Sequence, residues 1–186
     1  MRPTAVPVLA WLLMLLGPSA AGAEVAAAWQ RHEIEFTYMG FTTRYSCEGL
    51  RDKLDALLKA SGARPGFIVS RSACATAGPG QVTDFPRVRL TFESAAMPAP
   101  GSRGTGEPIL ARWKPVSLSR RQPRQLEAGD CELVEQFVDR VLPAFTTRAL
   151  QADIHCIPHQ LSGSSFLLGF EVLEGLPAAD AAVPPR

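Results

Sequence analysis

Along this chain, apolar residues recur first at every second position and then at every third or fourth, and the change happens twice. In HEIEFTY, residues 32–38, Ile34, Phe36 and Tyr38 share one parity, the alternation of a strand with one buried side. After Cys47 the apolar positions become Leu50, Leu54, Leu57 and Leu58, with Gly62 and Pro65 beyond them, which is helical spacing followed by stop signals. Val134, Val138, Val141 and Leu142 follow Cys131 in the same way. Period two then returns in each half. FIVSRSAC ends at Cys74, and in LQADIHC the residues Leu150, Ala152 and Ile154 share a face with Cys156. Finally, Val88, Leu90 and Phe92 alternate with polar residues, as Phe166, Leu168 and Phe170 do with their own neighbours.

Each half therefore reads as βαββ, and spacing supports an internal repeat. Trp29 precedes Cys47, and Trp113 precedes Cys131, by the same 18 residues (47 − 29 and 131 − 113). First and second cysteines lie 27 and 25 apart (74 − 47 and 156 − 131), and each closing strand carries a Phe-Glu pair, Phe92-Glu93 and Phe170-Glu171. One helix over three short strands buries too little apolar surface to stand alone. The expected fold is α+β: duplicated βαββ units forming a mainly antiparallel sheet of about six strands, with two helices on one face. The expected organisation is a signal peptide over 1–23, a first repeat over 24–97, a Pro/Gly-rich linker over 98–108, a second repeat over 109–175 and a disordered Ala/Pro-rich tail over 176–186.

The opening residues set the compartment. Arg2, the apolar run VPVLAWLLMLL and the small residues AGA before Glu24 have the layout of a cleaved export signal, with an apolar stretch too short to span a bilayer. No cysteine precedes Cys47, so a lipid-modified N-terminal cysteine is not expected. The mature protein is expected to be periplasmic or secreted, with no membrane span after cleavage. In that setting Cys47, Cys74, Cys131 and Cys156 are expected to pair. A helix of about 14 residues rises roughly 21 Å, and a strand of about seven covers a similar length. A chain running down the helix and back along the next strand returns beside the helix start. Cys47 should then join Cys74, and Cys131 should join Cys156.

Charge excludes one class of function. With 19 Lys+Arg against 18 Asp+Glu the net charge is +1, no surplus for binding phosphates along a nucleic acid. The acidic residues Glu48, Asp52, Asp55, Glu132, Glu135 and Asp139 are expected on solvated helix faces, and the matched Glu93 and Glu171 on outward-facing strand positions. Catalytic motifs are missing: there is no G-x-S-x-G, H-E-x-x-H, CxxC or glycine-rich phosphate loop, so no cofactor is expected and a non-catalytic role is favoured over an enzyme. HCIPH places His155 and His159 around Cys156. They are weak metal candidates, because this segment reads as a strand end and turn rather than the helix such a spacing needs.

The halves differ most between first strand and helix. The first has YMGFTTRYS, with Tyr38, Phe41, Arg44 and Tyr45; the second has the basic, polar RRQPRQLEAG. Clustered aromatic and arginine side chains favour partner contact, since they bury large area at low entropic cost. These four residues are the candidate binding surface, for an envelope protein or other ligand. The stretch FTYMGFTTRYSCEGLRDKL resembles uncharacterised secreted or periplasmic proteins of Gram-negative bacteria. That resemblance covers the first repeat; it implies export and carries no known activity. The resulting expectation is an exported, non-catalytic binding or interaction module of the cell envelope. The alternative is a metal-binding or thiol-dependent periplasmic protein using His155, His159 and a cysteine.

Overall fold

A computed structural model describes residues 23–70, 80–98 and 106–177. The elements are β1 (Val25–Thr37), α1 (Cys47–Ala60), β2 (Ile68–Ser70), β3 (Arg87–Ala96), β4 (Pro108–Ser119), α2 (Cys131–Arg140), β5 (Thr147–His155) and β6 (Ser165–Gly175). The fold is α+β, with two helices and one six-stranded antiparallel sheet in the order β2-β3-β1-β4-β6-β5. The same run of elements thus occurs twice, and the halves meet where residues 25–28 of β1 pair with 108–111 of β4. The signal segment to residue 22, the linker over 99–105 and the tail from 178 lie outside the described residues. β4 takes over Pro108, the last position of the expected linker.

The first helix starts and stops where its sequence carries the chemistry to do so. The Ser46 hydroxyl accepts from Gly49 N at 3.1 Å, satisfying one of the donors that a helix start leaves open. At the other end Gly62, at φ +82°, turns the chain left-handed. Its N–H donates to Lys59 O and that of Ala63 to Leu58 O, the paired bonds of a Schellman stop. Ser61, within this stop, is fully buried, and its hydroxyl has no hydrogen-bond partner among the described residues. Ser61→Ala is expected to stabilise the fold by about 1 kcal/mol, because it removes a buried unsatisfied group. A lower urea midpoint in the variant would refute this.

Strand register carries the alternation seen in sequence across the four inner strands, whereas β5 shifts register between Arg148 and Gln151 and leaves Leu150, expected on the face of Ala152 and Ile154, exposed. Even-numbered positions pair with even ones from β3 through β1, and from β4 through β6, while odd positions of β1 face odd positions of β4. Phe36, Val88, Leu90, Phe92, Leu118 and Leu168 therefore lie on one side, in a single core with Leu50, Leu54 and Leu57 of α1 and Leu133, Val134 and Phe137 of α2. Phe92 of the first half stacks on Phe145 of the second, with ring centroids 5.1 Å apart. Next to them the Ser94 hydroxyl donates to Ala144 O at 2.7 Å and accepts from His32 Nε2 at 2.9 Å. Burial lowers the pKa of His32, and with the Ser94 hydroxyl donating to Ala144 O the ring carries a proton on Nε2.

The odd-numbered side carries a smaller cluster at the junction. Ala27, Ala95, Ala111 and Leu173 are covered there by Trp29 and Trp113. The Arg64 guanidinium lies 5.1 Å from the Trp29 ring centre and bonds Glu93 at 2.9 Å. That of Arg148 lies 4.1 Å from the Trp113 ring centre and bonds Glu171 at 2.6 Å. Both tryptophans precede their arginines by 35 residues (64 − 29 and 148 − 113). The matched glutamates thus lie on the face away from the helices, where each holds an arginine over a tryptophan in a cation–π contact.

Cys131 and Cys156 are joined by a disulfide with Cα atoms 5.6 Å apart, tying the first residue of α2 to the residue after β5. Cys47 is buried and is not a free thiol. Its expected partner Cys74 lies outside the described residues, as does the continuation of β2 toward it. Of the two expected disulfides, the one between Cys131 and Cys156 lies wholly among the described residues.

Candidate functional site: a pinned connection between a hollow and a cleft

The strand-to-helix connections of the two halves lie against each other, and buried acids hold them together. The connection after β1 crosses the start of α2. There Glu132, 6 % exposed, accepts from Phe41 N and Thr42 N at 2.8 Å each and from the Tyr38 hydroxyl at 3.3 Å. A solvated helix position was expected for Glu132; the connection covers it instead. Its neighbours Glu135 and Asp139 are exposed. Gly40 is needed where the chain passes closest, since a Cβ there would collide with the Tyr38 hydroxyl and the Glu132 carboxylate.

Asp130 makes the second anchor. Its carboxylate accepts from the Tyr45 hydroxyl, from Lys53 Nζ at 2.8 Å and from Glu127 N at 2.6 Å. The Thr43 hydroxyl donates to Gly129 O at 2.7 Å. Burial, with the adjoining carboxylates, raises the pKa of both Tyr38 and Tyr45; the phenols stay neutral and act as donors. The two rings meet edge to face, centroids 4.8 Å apart.

The four candidate binding residues therefore separate. Tyr38 and Tyr45 are buried between the halves, while Phe41 is 62 % exposed and Arg44 is exposed. Phe41 and Arg44 border a hollow of about 170 Å³ whose far wall includes Thr83, Asp84 and Phe85. Arg44 pairs with Asp84 across it. Phe85 is 61 % exposed and sits at φ +52°, a conformation costly for a bulky side chain. Sequence reading missed Phe85, because only folding brings residues 83–86 against the connection.

On the other side of Thr43 lies a wider open cleft of about 820 Å³, lined by Arg120, Arg121, Arg124, Leu126, Glu127 and Leu161 among others. Its arginines come from the basic segment that replaces the aromatics in the second half. His155 and His159 are exposed, and His159 lies against Phe41 with ring centroids 5.4 Å apart. Cys156 is in a disulfide and presents no thiolate beside them. Among the described residues, no three His, Cys, Asp or Glu side chains gather into a group that could hold a metal ion. No helix among them is long and apolar enough to cross a membrane. Comparison with protein-family models, with curated proteins and with solved structures finds no match.

Proposed function

We propose that this protein is a non-catalytic binding or interaction module of the bacterial cell envelope, exported to the periplasm or beyond, and that a partner contacts it at Phe41, Arg44 and Phe85. The observation that carries the reading is the pair of aromatic rings, each more than 60 % exposed, facing one hollow on a backbone pinned from beneath by Glu132. Aromatics displayed on a rigid support lose little entropy on binding, which is the economy of an interaction hot spot. The Cys131–Cys156 disulfide supports an oxidising compartment, and the N-terminal pattern supports export. The matched elements and the matched Trp–Arg–Glu sets support descent of the two halves from a duplicated βαββ unit.

The test is photo-crosslinking in the producing cell, with a photoreactive phenylalanine at position 41 or 85 and, as control, at the exposed Gln151 of β5. A discrete adduct is expected from 41 and 85 only. Phe41→Ala with Arg44→Ala should abolish capture of that adduct's partner while changing stability by less than about 1 kcal/mol, since both side chains are exposed and surface pairs contribute little. Absence of adducts at both positions, or a large fall in melting temperature, would remove the proposed surface.

A further inference from the structure

The cleft beside Thr43 concentrates positive charge that the fold itself does not use. Arg44, Arg51, Arg64, Arg87, Arg89 and Arg148 each hold a carboxylate of this chain. Among the described residues, Arg120, Arg121 and Arg124 form no such pair and are exposed along one segment lining the cleft. Glu127 is the one acidic side chain in the lining, and it is engaged with Asp130 in a reciprocal cap. Three guanidiniums against one carboxylate leave a positive surplus that makes a site for an anion, and each guanidinium can grip a carboxylate or phosphate oxygen pair.

The backbone narrows the choice of anion. A compact phosphate is bound best by converging backbone N–H groups. Here those of Arg121, Gln122, Leu126 and Asp130 already donate within the segment. The charged donors are side chains lining an open cleft of about 820 Å³, far larger than one ion requires. Leu161, 57 % exposed, adds an apolar contact to its wall. Spaced guanidiniums beside an apolar side chain in a concave channel suit an extended chain carrying several carboxylates and apolar residues. A flat anionic membrane does not fit into a concavity. We infer that this cleft binds an acidic, extended peptide segment, with Arg120, Arg121 and Arg124 taking its carboxylates and Leu161 an apolar side chain. The inference stands apart from the aromatic hollow.

The test is fluorescence anisotropy of a short labelled peptide repeating glutamate, glutamate and leucine, titrated with the full mature protein at low and at physiological salt. Binding is expected to weaken as salt rises, since exposed charges are screened over about 8 Å at physiological ionic strength. Arg120→Gln, Arg121→Gln and Arg124→Gln together should weaken it about tenfold or more, with the melting temperature retained. Glu127→Gln, which keeps an acceptor for the cap, should tighten it. Phe41→Ala should leave it unchanged, so that failure at the cleft and failure at the hollow are read separately. Equal affinity in the triple arginine variant would overturn the inference. So would arginine-dependent binding of inorganic phosphate, or of phosphatidylglycerol-containing vesicles, in a protein that ignores the peptide.

Discussion

Glu132→Ala is expected to destabilise the fold by about 3 kcal/mol, measured by urea unfolding, although Glu132 lines neither the hollow nor the cleft. One carboxylate oxygen accepts from Phe41 N, Thr42 N and the Tyr38 hydroxyl. Hydrogen bonds to a charged acceptor are worth roughly 1.5–3 kcal/mol each and do not add in full when they share one atom. Alanine leaves three donors without their acceptor, and the Tyr38 hydroxyl among them is buried with its ring. Glu132→Gln retains an oxygen without the charge and should lose about half as much. Amide exchange at Phe41 and Thr42 should accelerate in both variants, because their protection derives from this contact. A loss below about 1 kcal/mol for alanine would show that the connection is held by other contacts.

Asp130→Ala is expected to cost more, about 3–5 kcal/mol by the same measurement. The carboxylate is buried and satisfies Tyr45, Lys53 and Glu127 N together. Removing one partner of a largely buried ion pair leaves the other as an uncompensated charge, and that is the costly change. The companion variant separates the causes. Adding Lys53→Met to Asp130→Ala removes the orphaned ammonium and should restore part of the stability, because replacing a buried pair by apolar groups is far less costly than breaking it. No recovery in the double variant would assign the loss to Tyr45 and the helix cap instead of the charge.

These anchors mark where local pattern stops being informative. Leu50, Leu54 and Leu57 declare their buried side through spacing alone, and Phe36, Val88, Leu90 and Phe92 do so through alternation; all are in the core. Trp29 and Trp113 are visible in the sequence as a matched pair, but their arginines are not, because Arg64 lies in a loop past α1 and Arg148 at the start of β5, and neither position has a spacing that betrays a partner 35 residues away. Glu132 has the sequence context of Glu135 and Asp139, yet they remain exposed and it is buried. The difference is the connection from the other half lying over it, a contact 90 residues distant for Thr42. The candidate surface divides for the same reason. Tyr38, Phe41, Arg44 and Tyr45 are alike as a cluster on paper, and the two buried carboxylates draw in the tyrosines while leaving Phe41 and Arg44 outside.

By itself the sequence determined the kind and order of the elements, the helix start at Ser46 and its stop at Gly62, and the buried face of most strands. Each of these is a local matter of spacing, capping or backbone freedom, decided within a few residues. The tertiary structure alone decided that β1 and β4 join the halves, that Asp130 and Glu132 become internal anchors, that Phe85 faces Phe41 across a hollow, and that three arginines line a cleft with no carboxylate partner among the described residues. Those outcomes depend on contacts between residues far apart in the chain, where whether a polar group is solvated or buried is set by what packs over it and not by its neighbours in sequence.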